Sequence, residues 1–216
     1  MSRTPKHNDF VSDAARGVSA ADGTTKARIE RAALILFTER GVDGVSIKEV
    51  AAHAKISDGA MYRYYPSKYK LAHELMLTIH NQLSTLVRNV AAAELTFEEK
   101  IRAIVTQYCA LADDDWDLFS YHLMHLHHFP ELFAPGKDGE KPKRKIDSAT
   151  QACSDILEQA MTDGDIPRGN VGLLASMVLG IVIQAAQAKA YQRLNGPLSI
   201  YVNEFERSIL AVVRAQ

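Results

Sequence analysis

The sequence predicts an all-α protein of about nine helices, three short ones at the N-terminal end and a larger helical unit after them. Three observations carry this. Apolar residues recur at three- and four-residue spacing through most of the chain after residue 25. Ser46, Ser57 and Ser67 stand where helices would begin, and Gly41, Pro66 and Pro130 where they would end. No segment alternates convincingly with the period of two that a half-buried strand needs. At 216 residues and 47% hydrophobic, the chain has material for one or two domains with a sizeable core.

Residues 1–24 mix Ser, Asp, Ala, Gly and Thr without periodicity and read as a disordered arm with no apolar signal-peptide core. Arg3, Lys6 and Arg16 suit a minor groove, but Asp9, Asp13 and Asp22 dilute them, so a solvated tail is the better reading. Residues 25–40 form the first helix, with Ile29, Ala32, Ala33, Leu36 and Phe37 as its apolar stripe and Gly41 as its stop. Ile47, Val50, Ala51 and Ala54 give one face of a short second helix, and Ser46 with Glu49 forms a capping box. After a break at Lys55-Ile56, Ser57 caps a third helix that Pro66 ends, because proline lacks an N–H and disfavours helix in the residue before it.

Two short helices joined by a tight turn, the second opening on small residues, make a helix-turn-helix pattern. Gly59 and Ala60 let a backbone approach base edges, while Tyr62, Arg63, Tyr64 and Lys68 supply hydroxyls and charge for phosphates. Ser46, Lys48, Ser57, Asp58 and Met61 complete the candidate DNA-binding set. Charge is distributed accordingly. Residues 1–70 hold 12 Lys+Arg against 8 Asp+Glu, and residues 71–216 hold 13 against 18.

From Ser67 a long helix runs to about Ala92, keeping Leu71, Leu75, Ile79, Leu83, Leu86 and Val90 on one face without proline or glycine. Residues 97–112 form the next, with Phe97, Ile101, Ile104, Val105, Tyr108 and Leu111 inward. Asp113 to Asp115 mark a break and a helix start. Trp116 to His128 reads as one aromatic- and histidine-rich helix. Ala134 to Lys145 is a basic, Pro- and Gly-bearing surface loop, and Ile146 to Met161 is helical again. Val171 to Ala188 carries no charged residue. It approaches the length of a membrane span, but Ser176, Gln184 and Gln187 interrupt it, and a buried core or interface helix is the preferred reading. Leu198 to Arg214 is amphipathic. Cys109 and Cys153 fall on apolar faces and read as buried thiols, consistent with a reducing cytoplasm.

Thr25 to Leu71 resembles the DNA-binding domain of the TetR family of transcriptional regulators. The resemblance rests on Ala32 to Gly41 (AALILFTERG), Ser46 to Ala51 (SIKEVA), Ser57 to Tyr65 (SDGAMYRYY), Ser67-Lys68 and Leu71. The family's usual Ala-Gly-Val before the capping serine is Ala54-Lys55-Ile56 here, so lysine replaces a turn glycine that takes positive φ, at ~1 kcal/mol of strain. The resemblance implies a cytoplasmic, homodimeric regulator, not an enzyme. It would have a DNA-binding domain at 25–70 and an effector-binding and dimerisation domain at 71–216, a palindromic double-stranded DNA operator and a small-molecule effector. The last two helices would pair with their mates. Val178, Ile181, Val182 and Ala185 on one stripe, with Tyr201 and Phe205, are the expected dimer contacts. Tyr108, Trp116, Phe119, Met124, Met161 and Met177 are the expected effector contacts, and a largely apolar effector follows from them. Repression relieved by that effector is the expected mode.

No cofactor, resident metal or catalytic set is expected. His122, His125, His127 and His128 form one further cluster, with His122 and His125 three apart on a helical face. A small helical metal-binding protein or enzyme using that pair is the alternative, as is a DNA-binding protein with no effector.

Overall fold

A computed structural model describes residues 23–130 and 149–215. The expectations for the N-terminal arm up to residue 22 and for the Ala134–Lys145 loop lie outside the described residues. The rest is helical: α1 (Thr25–Arg40), α2 (Ile47–His53), α3 (Asp58–Tyr64), α4 (Lys68–Ala91), α5 (Phe97–Asp114), α6 (Trp116–His125), α7 (Ala149–Asp163), α8 (Val171–Ala190) and α9 (Val202–Arg214).

Side-chain caps start most of these helices. Thr24, Ser57, Ser67, Asp115 and Asn170 each accept a hydrogen bond from the first turn they precede, and Ser46–Glu49 and Thr96–Glu99 form complete capping boxes. The break after α2 closes as a Schellman turn. Ile56 N–H donates to Ala51 O at 3.0 Å and Lys55 N–H to Ala52 O at 3.1 Å, with Lys55 at φ +56°. The lysine therefore adopts the left-handed conformation expected of the glycine it replaces.

Two apolar cores are stacked along α4. The first joins α1, α2 and α3 to the N-terminal half of α4 and to α6, through Phe37, Met61, Leu75, Ile79, Leu118 and Tyr121. The second joins the C-terminal part of α4 to α5, α7, α8 and α9, through Val87, Ile101, Val105, Leu157, Leu174 and Ile209. The expected boundary at residue 70 thus falls inside the first core, because Leu71, Leu75, Met76 and Ile79 complete it.

Two expected helices are subdivided. The histidine-rich helix leaves α geometry after His125 and continues as a 3₁₀ turn, Leu126–His128. The last helix opens with a 3₁₀ turn, Leu198–Tyr201, after Pro197. The Asp113 carboxylate accepts from Leu198 N–H at 2.7 Å and Ser199 N–H at 2.9 Å, so this acidic residue caps a distant turn rather than its own helix.

By length and composition, α8 could cross a membrane: an 18-residue window of it has mean hydropathy 1.9, and 28% of that window is buried. Its buried face is Leu174, Ala175, Val178, Val182 and Ala186. The expected dimer stripe needs correction here. Val178 and Val182 are 5% and 7% exposed and point into the second core, while Ile181 and Ala185 lie half-buried against it. Leu173, at 56% exposed, and Met177, at 42%, are the apolar residues that face outward. Phe205 is buried, and Tyr201, half-buried beside it, donates its hydroxyl to Asn195 O at 3.0 Å.

Candidate nucleic-acid interface and apolar cavity

The reader is built on a small rigid frame. Ser46 N–H donates to Glu49 Oε2 at 2.7 Å, and Arg40 Nη1 donates to Glu49 Oε1 at 2.9 Å. The backbone and hydroxyl of Ser46, followed by Arg40, hold the Glu49 carboxyl down at about 2. Lys68 Nζ donates to Asp43 O and Val45 O, both at 3.0 Å, and Tyr69 donates its hydroxyl to Asp43 Oδ1 at 2.9 Å. Tyr65 donates its hydroxyl to Glu30 Oε1 at 2.7 Å. These contacts fix the start of α4 to the turn before α2, and the end of α3 to α1.

On this frame α3 presents an outer face. Asp58, Gly59, Tyr62, Arg63 and Tyr64 are exposed, as are Ser46, Lys48 and Ser57, and Ala60 is half-exposed. Lys48 Nζ lies 4.0 Å from Asp58 Oδ2, linking the starts of α2 and α3. A Cβ added at Gly59 would meet nothing within 4 Å, so no packing within the described residues requires glycine there. Met61 departs from the expected set. It is 0% exposed and packs in the first core, because its position on α3 is the one that faces inward. Lys68 is half-buried and already binds two carbonyls.

A cavity of about 150 Å³ lies inside the second core, bounded by α4, α5, α6, α7, α8 and α9. Val87, Ile101, Val105, Ile156, Val178 and Ile209 are among the apolar side chains of its wall. Of the six expected effector residues, only Tyr108 lines it. Phe119 is 1% exposed and packs edge-on to Tyr108 at 4.8 Å between centroids. Trp116 stacks on Phe119 and faces a surface hollow with Asp113 and Lys189. Met124 is half-buried off the cavity wall, Met161 packs at the edge of the second core and Met177 faces outward. All six stand at ordinary helical spacing, which does not separate cavity walls from filled core.

The sequence reading missed His80 and Ser84, both buried on α4 and both on the cavity wall. The signal was present: two polar residues one turn apart, flanking the apolar stripe of a long helix. His80 Nδ1 lies 3.3 Å from His122 Nε2. Burial, and then the neighbouring His80 ring, push the His122 imidazole down to about 3. Burial also lowers His80. The expected His122–His125 pairing is not formed. His122 faces His80, whereas His125 packs on Tyr121 and His128. Among the described residues no three His, Cys, Asp or Glu side chains gather as a metal site.

One connection joins the two regions. Arg31 on α1 donates from Nη1 to both oxygens of Asp115, at 2.8 and 2.9 Å, and from Nη2 to Asp117 Oδ2 at 2.7 Å. Tyr121 on the same α6 donates its hydroxyl to Ala72 O at 3.2 Å. The helix that carries His122 is therefore tied directly to α1 and α4.

A capped helix-turn-helix with an outward second helix, set on a long helix that runs into a ligand-sized cavity, defines a helix-turn-helix regulator fold. The family model described as bacterial regulatory proteins, tetR family, matches residues 29–75, the segment from α1 into the first two turns of α4. YuxN, an uncharacterized HTH-type transcriptional regulator of Bacillus subtilis, is 36% identical over 58 residues, which is 27% of this chain and 20% of YuxN. The aligned segment spans between 20% and 37% of the length of the first curated relatives. Among solved structures, the fatty acid degradation regulator FadR from Bacillus halodurans superposes with TM-score 0.70 at 17% identity, over 90% of this chain and 98% of that one. The transcriptional regulator FadR from Bacillus subtilis in complex with stearoyl-CoA gives TM-score 0.64 at 17% identity, over 86% of this chain and 98% of that one. At these identities the likeness is one of fold, and it extends through the C-terminal helices.

Proposed function

We propose that this protein is a dimeric transcriptional repressor that reads a palindromic operator with α3 and leaves it when a small, largely apolar molecule fills the cavity. The observation that carries this reading is the continuity of α4. Its N-terminal half completes the core beneath α3, and its C-terminal half carries the cavity wall. A ligand that favours one position of α4 and α6 over another shifts the reader with it, by no more than its differential affinity for the two states. Two readers must lie about 34–36 Å apart to enter successive major grooves, so small displacements suffice. Gly59, with open space where a side chain would stand, leaves room for close approach to base edges, and Tyr62, Arg63 and Tyr64 flank it for phosphate contact.

The Bacillus subtilis regulator in complex with stearoyl-CoA, similar in fold, supports ligand binding by proteins of this fold. A cavity of about 150 Å³ does not hold a stearoyl chain, so the effector proposed here is smaller. The outward Leu173 and Met177, with open space at Gly180, support α8 as the dimer contact.

The test is selection of bound fragments from genomic DNA, followed by mobility-shift titration of the selected site with wild type and with Arg63→Ala. A selected palindrome bound in the nanomolar range, and weakened by the substitution, is expected. Recovery of fragments with no common sequence would remove the operator-reading function.

A further inference from the structure

The cavity wall is mostly apolar, and its polar side chains are His80, Ser84, Tyr108, His122 and Thr150. His80 and Ser84 stand one helical turn apart on α4, and His122 meets His80 from α6. The two imidazoles stack at 5.5 Å between centroids, with facing nitrogens 3.3 Å apart. Ser84 is 1% exposed, and its hydroxyl oxygen meets no hydrogen-bond partner among the described residues. A hydroxyl walled off from water normally has a partner, because its lost hydration is otherwise uncompensated. No Lys, Arg, Asp or Glu is among the described residues of the lining.

These features select the ligand. An anion would be buried with no cationic partner, and the depth of His122 opposes the proton that would supply one. A cation would meet no carboxylate. A plain hydrocarbon would fill the space and leave the Ser84 hydroxyl unpaired. A neutral hydroxyl group both donates and accepts, which matches an unpaired serine hydroxyl one helical turn from His80, where burial disfavours the charged form of the imidazole. The volume is that of a cavity that holds a benzene-sized molecule. We infer that the cavity binds an uncharged, benzene-sized alcohol or phenol carrying a single hydroxyl, seated at Ser84 beside His80 and His122.

This deepens the effector reading and rests on it for its biological consequence, while the binding itself is measured without DNA. Calorimetric titration of the full-length protein at neutral pH would compare p-cresol, toluene and 4-methylbenzoate, which share one ring and differ in the head group. We expect p-cresol to bind about ten-fold more tightly than toluene, and 4-methylbenzoate to give no measurable binding. Ser84→Ala, which removes a single oxygen, should weaken p-cresol about five- to ten-fold and leave toluene unchanged. His122→Leu should act in the same direction. Equal affinities for p-cresol and toluene, or tight binding of 4-methylbenzoate, would overturn the assignment, as would p-cresol binding indifferent to both substitutions. Mobility shift on the selected operator separates the two readings. Binding of p-cresol without operator release sinks the effector role and keeps the ligand class, whereas release by charged compounds alone does the reverse.

Discussion

Lys68 holds its ammonium group against the carbonyls of Asp43 and Val45, and this changes what its removal should do. As a phosphate contact alone, Lys68→Ala would weaken all DNA sequences alike and lower the salt dependence by about one unit. It also releases two charge-assisted hydrogen bonds, so we expect an additional loss of about 1–2 kcal/mol in urea unfolding without DNA. An unchanged unfolding midpoint would show that the carbonyl contacts contribute nothing. His122 gives a pH prediction of definite sign. Its pKa falls from 6.5 to about 3 on folding, so the unfolded chain binds the proton more readily between those values. Its contribution is complete above about pH 6.5 and is lost as the pH falls toward 3, with a slope of up to about 1.4 kcal/mol per pH unit. His80 and His125 are lowered as well and act in the same sense. The fall in melting temperature from pH 7 to pH 5 should therefore be shallower in His122→Leu than in wild type. At this scale the sequence was readable where chemistry is local. Ser46, Glu49 and Ser57 form the caps their spacing implies, and Lys55 takes the predicted turn conformation. Met61 was misassigned because a seven-residue helix among exposed neighbours does not reveal which single position faces the core.

The helices themselves were largely legible, but their orientation was less so. In α4 and α5 one apolar face contrasts with a polar one, and Leu71, Leu75, Ile79, Leu83, Val90, Phe97, Ile101 and Val105 are buried as expected, whereas Leu86, Ile104, Tyr108 and Leu111 are half-buried. In α8 nearly every face is apolar, so periodicity gives the helix but not its direction, and Val178 and Val182 were placed on the wrong side. The corrected expectation is that Met177→Asp converts the protein to a monomer in sedimentation and keeps its helical content, since that side chain is already outside the monomer's core. An intact dimer would move the interface off this face. The cavity could not be read at all, because an empty space is a property of six helices together and of no one stripe. The connection from α1 to α6 was equally hidden, since Arg31 and Asp115 are 84 residues apart in the chain. If this clamp transmits ligand occupancy to the reader, Arg31→Gln should leave p-cresol affinity within about two-fold while reducing its effect on operator binding. Full release in that variant would place the coupling in α4 alone.

At the scale of the molecule, the expected split at residue 70 separates the reader by sequence but not by packing. Phe37 and Met61 share one core with Leu75, Ile79, Leu118 and Tyr121, so residues 23–70 expressed alone would leave that core open on one side. We expect such a fragment to show no cooperative melt by circular dichroism, whereas the whole chain should. This bears on recombination. A regulator whose reader ended at a linker could exchange it with a related protein by a single crossover, and new pairings of operator and inducer would arise cheaply. Here a crossover at residue 70 would set α1 and α3 on a foreign α4 and a foreign α6, including the carboxylates that Arg31 grips. A viable hybrid needs the inner surfaces of both those helices to travel with the reader, yet α6 also brings His122 and its side of the ligand site. Under the proposed function, operator choice and inducer choice are inherited together, and a designer wishing to alter one must repack the shared helices rather than splice between them.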